Sequence, residues 1–206
     1  MNCLSFDVGG TTIKYGIIND SYEVLLKDKI PTPKDEEQFI ESISEIIQKN
    51  IENISKVSIA MPGYVNIANN KYLYGPHLQY GIDFSKLSKF SEYDFYLDND
   101  GNVAAYCEYL LNYKTKYSNL IMLTFGTGVG GGIISEGKLL RGRGNAGEIG
   151  HMLTSNDRSV KGDSGKKGSF ESSVAASVWT KKCLELTKKN QDSELAKIFA
   201  IKNVGS

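Results

Sequence analysis

Two glycine-rich turns of one kind, Asp7-Val8-Gly9-Gly10-Thr11-Thr12 and Thr124-Phe125-Gly126-Thr127-Gly128-Val129-Gly130-Gly131-Gly132, constrain this chain more than any other feature. Each lies between apolar, strand-like runs, so each asks for a strand, a tight reversal and a second strand near the start of one half of the chain. A strand leading into a Gly/Thr hairpin offers backbone N–H groups to phosphate oxygens with no side chain in the way. Two such hairpins suit one polyphosphate held from both sides. The first expectation is therefore a nucleotide site between two lobes.

Length and charge narrow the rest. A chain of 206 residues with 40% hydrophobic content buries a sizeable core and fits one large or two small domains. Lys and Arg number 24, as do Asp and Glu, so no global field argues for nucleic acid or an anionic membrane as partner. No apolar run approaches the ~20 residues of a spanning helix, and the chain enters a strand at Cys3, which reads as a cytoplasmic protein. Cys3, Cys107 and Cys183 are widely spaced and odd in number, as expected of reduced thiols.

Along the chain, strands are expected at Leu4 to Phe6, Ile13 to Ile18 and Val24 to Ile30, then a helix from about Glu36 to Ile51 with Phe39, Ile43, Ile46 and Ile47 on one stripe. A strand from Val57 to Met61 stops at Pro62-Gly63. The stretch from Asn66 to Ser91, with Tyr72, Tyr74, His77 and Tyr80, reads as an excursion over the mouth of a cleft. Phe95 to Leu97 reads as a strand delivering Asp98-Asn99-Asp100 to a helix over Val103 to Leu111. The second half repeats the opening with strands at Leu120 to Phe125 and Ile133 to Ser135. A long glycine-rich loop, Arg141 to Gly168, follows, then helices at about Phe170 to Lys189 and Ser193 to Ala200. This divides the chain into an N-terminal lobe, 1–113, and a partial C-terminal lobe, 114–206.

The runs Phe6 to Lys14, Asp98-Asn99-Asp100-Gly101-Asn102, Thr124 to Gly132 and Gly147-Glu148-Ile149-Gly150-His151 together resemble the ROK family of sugar kinases and sugar-responsive repressors. Within it, Met61-Pro62-Gly63-Tyr64-Val65-Asn66 is similar to the β-glucoside kinases, alongside the glucokinases and N-acetylmannosamine kinases. The resemblance implies an α/β, two-lobed hexokinase/actin-like (ribonuclease H-like) ATPase fold. It also implies ATP and Mg²⁺ as cofactors and a small-molecule sugar as substrate.

Phosphoryl transfer needs positioned charge, a metal bridge to the phosphates and a base near the attacking hydroxyl. By resemblance, Asp7 holds Mg²⁺ through water, while Gly9, Gly10, Thr11, Thr12 and Lys14 meet the phosphates from one side and Gly126, Thr127 and Gly128 from the other. The residues alone leave Asp7 open as a turn cap, Lys14 as a solvated strand residue and the second turn as a plain hairpin. Asp100 is the candidate base, at a position that equally suits a helix cap. Asn99, Glu148, His151 and Glu171 match family positions that grip the sugar. Glu148 also has a plain reading as an ion-pair partner of Arg141 or Arg143, and His151 as a half-buried structural histidine. His77 stands where the family often has Asn, and Asp98 where it more often has Glu.

Two departures matter. Many family members carry a zinc site of one His and three Cys after this Gly-His. Here Gly162, Ser164 and Ser169 occupy the cysteine places, so no zinc is expected and the loop from Lys161 to Lys167 should be mobile. Full members also continue beyond the equivalent of Ser206. That predicts an incomplete second lobe and adenine pocket, and an apolar stripe of Val174, Val178 and Leu186, flanked by Trp179 and Cys183, left to solvent or to a homodimer partner. A sugar kinase, in truncated form, is the first reading. A non-catalytic sugar-binding remnant and a regulator without its DNA-binding domain are the alternatives.

Overall fold

The computed structural model describes residues 1–75, 78–156 and 165–203, the side chains of 199–203 excepted. The chain forms two compact units, Met1–Ile121 with Gly132–Gly147, and Met122–Gly131 with Glu148–Ser206.

The first unit is built on strands β1 (Asn2–Val8), β2 (Thr12–Asn19), β3 (Val24–Pro31), β4 (Lys56–Met61) and β8 (Asp94–Asn99), in the order β3-β2-β1-β4-β8. β1 runs antiparallel to β2 and parallel to β4, and β4 parallel to β8. Period-two alternation sends Leu4, Phe6, Val8, Ile13, Ile17, Val57, Ile59, Met61 and Leu97 into one buried core. Helix α1 (Glu36–Asn50) covers it with Phe39, Ile43, Ile46 and Ile47, the stripe expected from helical spacing. Asp35 starts that helix by accepting the Gln38 N–H at 2.9 Å. The strands extend a residue or more past their expected ends because polar residues such as Asn2, Asp7, Asp98 and Asn99 still pair across the ladder.

The stretch expected as an aromatic excursion is instead a packed layer. Strands β5 (Tyr64–Asn66), β6 (Lys71–Tyr74) and β7 (Ile82–Asp83) form a small sheet, followed by a 3₁₀ segment, Phe84–Phe90. Val65, Tyr72, Leu78, Ile82, Phe84, Leu87 and Phe90 join the same core as the large sheet. Tyr72 tolerates burial because its hydroxyl donates to the Leu78 carbonyl at 3.1 Å. Burial and the charges of Tyr80 and Asp100 push the Tyr72 phenol up to about 12. After β8, helix α2 (Asp100–Glu108) runs into a wide turn, Tyr109–Tyr113.

Strands β9 (Leu120–Phe125), β10 (Val129–Ser135) and β11 (Lys138–Leu139) form the third sheet, in the order β11-β10-β9. The second unit then carries helices α3 (Phe170–Val174), α4 (Ala176–Lys189) and α5 (Glu194–Asn203). The single helix expected from Phe170 to Lys189 is broken at Ala175, whose backbone is extended. The break lets Ala176 N–H donate to the Gly126 carbonyl at 2.9 Å and Ser177 Oγ to the Thr127 carbonyl at 2.7 Å. No residue of α4 is buried, and Trp179 and Leu186 on it are exposed. Among the described residues no helix is long and apolar enough to cross a membrane. The three cysteines are free thiols.

Candidate active site

In the first unit the opening glycine turn closes with Gly9 N–H on the Thr12 carbonyl at 3.0 Å. Thr32, just past the end of β3, takes two more carbonyls of the turn: its N–H meets Thr11 O at 3.0 Å and its hydroxyl Gly9 O at 2.6 Å. With these carbonyls engaged inside the protein, the exposed tip at Gly10 and Thr11 is left to offer N–H and hydroxyl donors. Asp7 and Lys14 face each other across β1 and β2 with 3.6 Å between carboxylate and ammonium, and both side chains are more than half exposed. Asp7 also shares a row with Ala60 and Asp98 across three parallel strands, which sets both carboxylates on one face of the sheet.

Asp98 organises the next part. One of its oxygens accepts the Asn99 N–H at 2.8 Å and Asn102 Nδ2 at 3.0 Å, and the other accepts Arg141 through both Nε and a terminal nitrogen at 2.8 Å. Asn99 caps α2 by accepting Asn102 N–H at 3.1 Å, and its amide donates to the Gly63 carbonyl at 3.0 Å. Asp100 is the first residue of that helix and is exposed, with one oxygen accepting the Gly101 N–H at 2.8 Å. The positive end of the helix favours a charged carboxylate there. Arg141 thus takes Asp98 as its carboxylate. Nothing in the spacing of two residues 43 apart, one in a strand and one in a glycine-rich loop, points to that pairing.

In the second unit the three carboxylate and imidazole residues expected to grip a sugar gather around Val129. Glu171 is buried and its carboxylate accepts the Val129 N–H at 3.1 Å. Gly150 lies so close that an added Cβ would sit 2.1 Å from the Val129 carbonyl oxygen, which seats the short turn Ile149–His151 on the strand. His151 Nε2 lies 3.4 Å from the Glu148 carboxylate. Its Nδ1 is buried and has no hydrogen-bond partner among the described residues. The glycine turn itself has Gly126 N–H on Gly128 O at 2.9 Å, and open space faces Gly126.

Gly150→Ala is expected to lower the melting temperature of the chain by several degrees, since overpacking against backbone costs about 1–3 kcal/mol. Thermal unfolding monitored by circular dichroism checks this. A melting point within a degree of wild type would mean that the turn is not seated on Val129.

A Mg²⁺ ion that keeps most of its waters and bridges phosphates asks the protein for one or two carboxylates. Asp7, exposed at the end of its strand, fits that demand. No group of three or more His, Cys, Asp or Glu that could hold a metal stands together among the described residues. Of the positions aligned with zinc-binding cysteines, Ser169 is buried and caps α3 through its hydroxyl, at 3.2 Å from Ser172 N. Gly162, Ser164 and most of the loop from Lys161 to Lys167 lie outside the described residues, as does His77.

A five-stranded mixed sheet that carries a glycine turn and two carboxylates on its strand ends, and a second glycine turn on another unit, define an α/β protein of the hexokinase/actin-like class. The chain belongs to the ROK family, which it matches over residues 3–204. It is 29% identical over 203 residues to a glucokinase of Halalkalibacterium halodurans, covering 92% of this chain and 61% of that one. A beta-glucoside kinase of Listeria monocytogenes is 31% identical over 160 residues, with 75% of this chain and 54% of the relative covered. Among solved structures, the ROK family glucokinase from Streptomyces griseus in complex with glucose and AMPPNP superimposes with a TM-score of 0.76 at 26% identity, over 93% of this chain and 63% of that one. The chain therefore spans 54% to 63% of the length of these relatives.

Proposed function

We propose that this chain carries the phosphate-binding and acceptor-binding parts of an ATP-dependent kinase acting on a hexose or hexose derivative. The observation that carries this reading is the exposed Asp100 carboxylate at the head of α2, held in a ROK chain by the Asp98, Asn99 and Asn102 network. Its support extends to the kinase names of the relatives and to the glucose and nucleotide analogue in the Streptomyces griseus structure.

In this reading Asp100 accepts the proton of the sugar hydroxyl as that oxygen forms its bond to the γ-phosphorus and the bond from phosphorus to the ADP oxygen breaks. The N–H groups of Gly9 to Thr12, with Lys14, and those of Gly126 to Gly128 hold the phosphates. Asp7 would hold Mg²⁺, and the ion would neutralise phosphate charge. Asn99, Glu148, His151 and Glu171 pair with sugar hydroxyls, which as buried polar groups need such partners. A cytoplasmic setting and a homodimer belong to the same proposal, the latter supported by the uncovered Trp179 and Leu186.

A coupled assay of the full chain with ATP, Mg²⁺ and a panel of hexoses and hexosides tests the reading. ADP release that depends on one sugar supports it. Binding of sugar by titration calorimetry with no turnover would replace it with the sugar-binding remnant.

A further inference from the structure

Thr32 belongs to neither glycine turn, yet it reaches the opening one twice. It follows β3, whose last residue, Pro31, is paired with Thr12. Its N–H donates to the Thr11 carbonyl at 3.0 Å and its hydroxyl to the Gly9 carbonyl at 2.6 Å. A trans peptide unit is planar and carries its N–H on the side opposite its C=O. A carbonyl pinned on Thr32 therefore aims the N–H of the next residue away from Thr32. The Gly9 carbonyl in this way orients Gly10 N–H, and the Thr11 carbonyl orients Thr12 N–H. Both are among the donors assigned above to phosphate oxygens.

Thr32 can hold the turn because its own backbone is held. The prolines on either side, Pro31 and Pro33, fix φ at about −65° and narrow the conformations open to this segment. The Pro33 carbonyl accepts the Tyr80 hydroxyl at 2.6 Å, and Tyr80 packs against the core of the first unit. Burial, and then the charge of Asp35, push the Tyr80 phenol up to about 12, so it remains a donor at neutral pH. At the foot of the turn, Gly9 N–H is taken by the Thr12 carbonyl at 3.0 Å. Swinging either of the two peptides would break a bond to Thr32. A cavity of about 370 Å³ opens beside the turn with Gly10, Thr11 and Lys34 in its wall, which gives an anion both room and a cation at the tip.

We propose that Thr32 is a positioning residue for phosphate binding, which holds the Gly9–Gly10 and Thr11–Thr12 peptides so that their N–H groups already face the nucleotide when it arrives. The inference rests on the nucleotide reading above and adds a residue that lies outside both glycine turns. Donors fixed in advance need no reordering on binding, whereas a peptide free to turn over would present the negative end of its carbonyl to a phosphate. Both bonds from Thr32 end on the turn, so the effect falls on the nucleotide rather than on the sugar.

Thr32→Val keeps the shape and the N–H of the residue and removes the hydroxyl alone. In calorimetric titrations of the full chain with a non-hydrolysable ATP analogue and Mg²⁺, it is expected to weaken Kd about tenfold, an effect of the size one hydrogen bond exerts. Kd for the sugar that supports turnover in the coupled assay is expected to stay within a few-fold of wild type. Thr32→Ser retains the hydroxyl and is expected to restore nucleotide affinity. An analogue Kd unchanged in Thr32→Val, affinity not restored in Thr32→Ser, or equal weakening of nucleotide and sugar would each overturn the assignment. The wild-type chain supplies a further test should the valine variant fail to fold. Its Gly10 and Thr12 amide proton resonances are expected to move downfield when the analogue binds. Resonances that stay in place while the analogue binds would overturn the inference and leave nucleotide binding standing. Absence of analogue binding by the wild-type chain would overturn the nucleotide reading itself, and this inference with it.

Discussion

Asp100→Asn is expected to lower turnover about 10²- to 10⁴-fold, the usual contribution of a positioned general base, while sugar affinity stays within a few-fold of wild type. The substitution isolates the chemistry because the amide keeps the size of the carboxylate and retains an oxygen for the Gly101 N–H. What it removes is the capacity to take the hydroxyl proton. Asp100 is exposed, so no core packing is lost and the melting temperature is expected to hold within a few degrees. Steady-state rates from the coupled assay, read beside calorimetric sugar titrations of the same variant, separate the two effects. Turnover within tenfold of wild type would leave Asp100 as a helix cap and end its role as base. A parallel loss of sugar affinity would assign it to binding.

The parts of the molecule that were legible in the sequence are those with a local signal. Helix α1 announced itself through Phe39, Ile43, Ile46 and Ile47, and the two glycine turns through Gly and Thr between apolar strands. The gathering of Glu148, His151 and Glu171 was expected only by resemblance. Its physical cause, the seating of Gly150 on Val129 and the Glu171 bond to the same residue, is a tertiary contact with no sequence period. The layer from Tyr64 to Phe90 was misread because tyrosines in a polar stretch look like surface. Tyr72 is buried once Leu78 gives its hydroxyl an acceptor. The break at Ala175 was hidden for a similar reason: alanine is a good helix former, and only the glycine turn, some 50 residues away, draws Ala176 and Ser177 out of register.

Asp98→Ala is expected to destabilise the chain and to disable the candidate site without touching a group assigned to the chemistry. The Asp98 side chain is only 12% exposed and accepts from Asn99 N, Asn102 Nδ2 and Arg141. Its removal leaves Asn102, 3% exposed, with a buried amide that has lost its acceptor, and such a loss costs about 1–3 kcal/mol per group. Arg141 is nearly half exposed and recovers solvation, so its share is the smaller one. Asn102 matters more, because its N–H is the group that Asn99 caps, and Asn99 precedes Asp100 at the entry to α2. Asp98→Ala should therefore lower both the urea midpoint and turnover. Asp98→Asn keeps an acceptor for Asn102 and is expected to restore much of the stability, while Arg141→Ala alone shifts the midpoint little. Equal loss in Asp98→Ala and Arg141→Ala would show that the ion pair, rather than the buried amide, holds the head of α2 in place.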